Sequence, residues 1–152
     1  MIKLSRYDDA RQELLRAIEC KKPYGHAAEP WKAWSILEDL ERATGHAAAA
    51  MTARQQAIHT YLIYRRAGGV SQSGGAQLFF LVAQAIQQNA PDNARQLLDE
   101  QVAEPDLPLF VAALITQLQR LLAGDRTPGL ATDPDLDYMD AAELQLLLEQ
   151  IR

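Results

Sequence analysis

The sequence predicts an all-α protein of six or seven helices paired as antiparallel hairpins. Three observations carry that reading. Apolar residues recur at three- and four-residue spacing in every long segment, Gly and Pro cluster between those segments, and no stretch alternates long enough to form a strand.

Taken in order, Ser5 is placed to cap a first helix that runs to about Cys20, with Leu14, Leu15, Ala17 and Ile18 on one face. Lys21 to Pro30 holds two prolines and Gly25 and reads as a connector. Trp31 to Thr44 repeats the helical period through Trp34, Leu37 and Leu40, and Gly45 supplies the left-handed stop. Ala47 to Ala67 forms a long second helix ended by Gly68 and Gly69. A third long helix covers about Ala76 to Gln88. Pro91 opens another through Ala103 at the first-turn position, where a missing N–H costs nothing. Pro105 and Pro108 break the chain before Leu109 to Ala123, which Gly124 closes. Thr127 to Asp137 reads as a polar linker. Asp140 with Glu143 three residues on resembles a capping box opening a last helix through Ile151.

Bulk properties narrow the function classes. The 152 residues are 48% hydrophobic and 23% charged, an ordinary globular composition for about one domain. The expected single domain spans 1–152, with a better repeat match over 1–69, divergent helices over 76–126, and a linker plus C-terminal capping helix over 127–152. A net charge of −5 argues against a nucleic-acid backbone and against a polybasic membrane surface. The single Cys20 excludes an intrachain disulfide and a multi-cysteine zinc site, and a reducing cytoplasm is the simplest setting. Met1 to Ala10 shows no apolar core after a basic segment, so no signal peptide is expected. The longest apolar run, Leu107 to Ile115, is too short to span a bilayer.

Trp34, Leu37, Gly45, Ala50 and Ala57 stand in the register of large residues, turn glycine and small crossing residues that a helix-hairpin repeat needs. The segment Trp34 to Ala57 resembles the tetratricopeptide repeat. Two positions depart from its pattern: Glu38 stands where a small residue is usual, and Arg54 where a large aromatic is commoner. Ala10, Leu14 and Ala17 look like the second half of a preceding unit. Ala10 to Ala50 spans 40 positions against a period of about 34, and the excess fits inside the Pro/Gly connector. Leu78 to Leu98 resembles a looser pair. The run Tyr61, Tyr64 to Arg66, Gly68, Gly69, Gly74 to Leu78, together with Asp135 to Leu148, is similar to C-terminal segments of large bacterial tetratricopeptide-like proteins. The resemblance implies hairpins stacked in a right-handed array that binds other proteins. It also implies a neighbour for each hairpin, so the Leu14/Ile18 side of the first helix is expected to be covered by another subunit or by further sequence.

The same resemblance turns Lys32, Ser35, Asp39 and Arg42 toward a groove that takes a protein or peptide partner, with self-association a second use of the surface. The alternative is a small-molecule or anion site at the glycine-rich segment Gly68 to Gly75, edged by Tyr61, Arg65, Arg66 and Ser73. That segment has no Walker lysine and follows no strand, so a helix stop with a Ser cap is the simpler account. No residue set points to catalysis. His26, His46 and His59 share no i, i+4 spacing. Asp133, Asp135 and Asp137 superficially suggest a calcium loop, but Tyr138 and Leu144 occupy the places that loop reserves for glycine and a carboxylate. No metal, no cofactor and no enzymatic activity are expected.

Overall fold

The computed structural model describes residues 2–151, with side chains from Arg6 to Ile151. Those residues form seven α-helices and two short 3-10 segments, with no strand: α1 (Ile2–Lys21), a 3-10 segment (Lys22–Ala28), α2 (Pro30–Ala43), α3 (Ala47–Arg66), α4 (Ala76–Gln87), α5 (Asp92–Val102), α6 (Leu109–Leu122), a second 3-10 segment (Pro128–Thr132) and α7 (Tyr138–Gln150). The all-α expectation is met. Among the described residues no helix is long and apolar enough to cross a membrane.

The helices end where the backbone is forced to turn. Gly45 takes φ +80, and beyond it Gly45 N–H donates to Arg42 O at 3.1 Å while His46 N–H donates to Glu41 O at 2.8 Å. Those two bonds are the Schellman pattern, which satisfies carbonyls a helix end leaves open. The same pair closes α3 through Gly68 and Gly69, α4 through Asn89 and Ala90, and α6 through Gly124 and Asp125. At the end of α4 the left-handed residue is Asn89 (φ 54), the non-glycine residue that tolerates this conformation best.

The chain divides into two compact units, 1–70 and 71–152. In the first, α2 and α3 pack along their length and α1 lies on α2. Ala50, Ala53 and Ala57 fall on one side of α3 and are each no more than 1% exposed. Their spacing keeps one face toward α2, and their size allows the axes a close approach. Ile18, Ala33, Leu37 and Ala53 form a core against which Leu14, Trp34 and Leu40 pack. The Leu14/Ile18 side of the first helix, expected to need another subunit or further sequence, is therefore covered by α2 and α3 of this chain. That helix also begins ahead of the expected Ser5 cap and runs through it.

In the second unit α6 is the most buried helix after α7, with Leu114, Ile115, Leu118 and Leu121 inside. The stretch expected as a polar linker contains the second 3-10 segment and buries Leu130 and Leu136. Two expectations about α5 and α7 shift. Pro91 sits at the N-cap of α5, one place before its first helical residue. The last helix is capped by Asp137, whose Oδ2 accepts Met139 N–H at 3.0 Å, so Asp140 and Glu143 do not form a capping box. Both are instead buried in the first turns of α7.

Charge is shared unequally. Residues 1–70 hold eleven Lys/Arg against eight Asp/Glu, and residues 71–152 hold four against twelve.

Both tryptophans lie in α2, so tryptophan fluorescence reads the first unit alone. Leu37→Ala is expected to lower the stability seen in a urea titration by about 2–4 kcal/mol, through lost burial plus a cavity. Met51→Ala, at a position 61% exposed, is expected to move the midpoint very little.

Candidate functional site

Lys32, Ser35, Asp39 and Arg42 fall three, four and three residues apart on α2, which places them on one stripe of the helix. Lys32, Asp39 and Arg42 are exposed and Ser35 is half-buried. Two of the charged heads are held in place. Lys32 Nζ lies 2.5 Å from Glu29 Oε2, and Arg42 donates through Nε and Nη2 to Glu38 Oε2 at 3.1 and 2.6 Å.

Behind this stripe α2 buries two acids, Glu38 and Glu41, each 6% exposed. Glu38 Oε2 lies 3.9 Å from Arg54 Nη1 as well as on Arg42. The two positions that depart from the repeat pattern therefore face each other: a carboxylate replaces the small residue and a guanidinium replaces the aromatic. Glu41 is bound from α1, where Arg11 Nε donates to its Oε1 at 2.5 Å. The same guanidinium donates to Asp8 Oδ1 at 2.7 Å and to Thr44 Oγ1 at 3.3 Å, and Nη2 stands 3.3 Å from His46 Nδ1. The Glu41 bond comes first among the contacts that raise the Arg11 pKa and keep it charged. Arg11, Glu41, His46 and Ala47 to Ala49 line an open depression of about 450 Å³ beside this cluster.

Three residues of the alternative edge, Tyr61, Arg65 and Ser73, meet partners within the structure. Tyr61 is fully buried, edge-on to Trp31 with centroids 5.7 Å apart, and Tyr64 lies over Trp31 at 4.8 Å. Trp31 Nε1 is buried without an acceptor, a cost of about 1–3 kcal/mol that the ring packing offsets. Tyr64 Oη donates to Val70 O at 2.8 Å and Arg65 Nη1 to Gly69 O at 2.5 Å, strapping the segment after α3 back onto the helix. A side chain at Gly69 would run into the Tyr64 ring. Arg66 is exposed. Ser73 belongs to the second unit, where it is buried and donates its hydroxyl proton to Asp140 Oδ1.

The remaining polar candidates also have structural partners. Asp133 Oδ1 accepts Asp135 N–H at 3.0 Å and its Oδ2 accepts Gln117 Nε2 at 2.9 Å, while Asp137 caps α7. His26 packs beside Tyr64, with centroids 6.2 Å apart. Among the described residues no group of three or more His, Cys, Asp or Glu is arranged to hold a metal ion.

Sequence reasoning missed the buried acids Glu38, Glu41, Asp140 and Glu143. For Glu38 a signal existed, because Glu38 and Arg42 stand at i, i+4 in the favourable orientation. Glu41 gives none, since its partner is thirty residues away on another helix.

The chain matches no family model, no curated protein and no solved structure.

Removing one side of a buried pair leaves the other charge stranded. Arg11→Met is therefore expected to lower the thermal midpoint of the first unit more than Glu41→Gln. The double substitution should recover part of the loss. Equal effects of the two single changes would show that Glu41 does not depend on Arg11.

Proposed function

We infer that this protein is a non-enzymatic interaction scaffold of the tetratricopeptide-like kind, binding a partner protein or peptide in the cytoplasm. Its hairpins stack as a right-handed array, and the α2 stripe Lys32, Ser35, Asp39 and Arg42 is the partner-binding face. One observation carries the reading: these four residues share one stripe of α2, its three charged members exposed and its basic heads held by Glu29 and Glu38. A face with charges of both signs, its basic heads pre-positioned, suits an extended or helical peptide, because less side-chain freedom remains to be lost on binding. Support also comes from the α2–α3 seam of Ala50, Ala53 and Ala57 and from the turn at Gly45, which are features a repeat hairpin requires. Self-association through the same surfaces is a second use of such a scaffold.

The test compares wild type with Lys32→Glu/Asp39→Lys in affinity capture from native cytosol. Arg42 is left alone, since reversing it would set a like charge against the buried Glu38 and confuse folding with binding. Expected is a protein held by wild type and reduced at least about tenfold in the folded variant, as for loss of about 1.4 kcal/mol. Identical capture by both forms would remove the α2 stripe from consideration.

A further inference from the structure

The segment that leads into α4 ends in a buried polar clasp. Ser73 and Asp140 are 8% and 4% exposed and stand 67 positions apart in the chain. Ser73 Oγ donates its proton to Asp140 Oδ1 and accepts Gly75 N–H at 2.9 Å. One hydroxyl thus ties the segment to α7 and orders the entry to α4. The corner is tight: a Cβ at Gly75 would come within 2.6 Å of Leu114 Cδ2 and 3.1 Å of Asp140 Oδ1.

The charges facing this carboxyl are acidic. On α7 itself they are Asp137, at the cap, and Glu143, and both push the Asp140 pKa upward. Just ahead, Asp133 and Asp135 occupy the turn before the cap. The elements packed most closely on α7 are α4 and the 3-10 segment Pro128–Thr132, and neither contains a charged residue. α6, which contributes Leu114 to the corner, carries only Arg120, two turns further on and 3.8 Å from Asp125. Residues 71–75 are uncharged. Among the described residues of this unit, α4 and the 3-10 segment therefore offer an ionised Asp140 no cation, and the one on α6 lies beside Asp125.

We propose that the Ser73–Asp140 clasp is a pH-responsive latch, closed while Asp140 is protonated and loosened when it ionises, freeing residues 71–75 and the first turn of α4. Burial is the largest cause that lifts the Asp140 carboxyl, to about 6, and the Ser73 hydroxyl pulls the other way. The ionised form strengthens that one hydrogen bond, but the lost hydration outweighs it. The folded pKa lies above the unfolded value near 3.8, so the stabilisation is complete below about pH 4. It is lost as pH rises through about 6. Acidification closes the latch.

The test is amide hydrogen exchange of the full chain over residues 71–78 and 138–143, at about pH 5 and about pH 7.5, corrected for intrinsic rates. In wild type, opening should be about tenfold more frequent at the higher pH, the ratio these two pKa values imply by linkage. Asp140→Asn, which keeps an acceptor and loses the charge, should be protected equally at both. Asp137→Asn keeps a competent cap and removes one like charge, so it should move the midpoint to lower pH and shrink the pH dependence, because the ionised Asp140 then meets less repulsion. Ser73→Ala should be open at both pH values. Wild-type protection that does not change with pH, or an Asp140→Asn variant that keeps the full pH dependence, would overturn the proposal.

Discussion

A buried carboxylate must be matched by a cation or give up its charge, and this constraint organises both units. In the first unit the answer is pairing. Glu38 meets Arg42 and Arg54, and Glu41 meets Arg11, so α1, α2 and α3 are joined by charge as well as by their apolar seam. In the second unit cations are scarce, and α4 and the 3-10 segment beside Asp140 carry none. There the carboxyl's pKa moves up and a neutral hydroxyl becomes its partner. The same kind of residue at the same depth thus acts as a fixed strut in one unit and as a titrating contact in the other.

The paired acids also shape the surface. Glu38 lies on the buried side of α2, yet it holds the head of Arg42, which belongs to the exposed stripe. Interior and surface are linked through two Arg42 N–H groups that donate to one Glu38 oxygen, and a change at Glu38 is felt at the face proposed for binding. The seam of Ala50, Ala53 and Ala57 makes this geometry possible, because larger residues there would separate α2 from α3 and pull Arg54 away from Glu38.

Helix positions were legible because their signals are local. Gly45, Gly68 and Gly124 mark Schellman ends in the sequence itself, and apolar spacing assigns each helix its inner face. Where the readings failed, a local pattern had two meanings. Asp140 and Glu143 have the spacing of a capping box, but Asp137 three residues earlier is an equally good cap and frees them to be buried. Tyr61, Arg65 and Ser73, which the sequence offers either to a ligand edge or to packing, have partners in Trp31, the Gly69 carbonyl and Asp140.

By itself the sequence determined the all-α class, the places where the helices stop and the single stripe carrying Lys32, Ser35, Asp39 and Arg42, since these follow from residue-to-residue spacing along one helix. Only the tertiary structure decided which acids lie inside and what answers their charge. Arg11 reaches Glu41 across 30 positions and Ser73 reaches Asp140 across 67, and no periodicity in a linear chain encodes a contact between helices that distant.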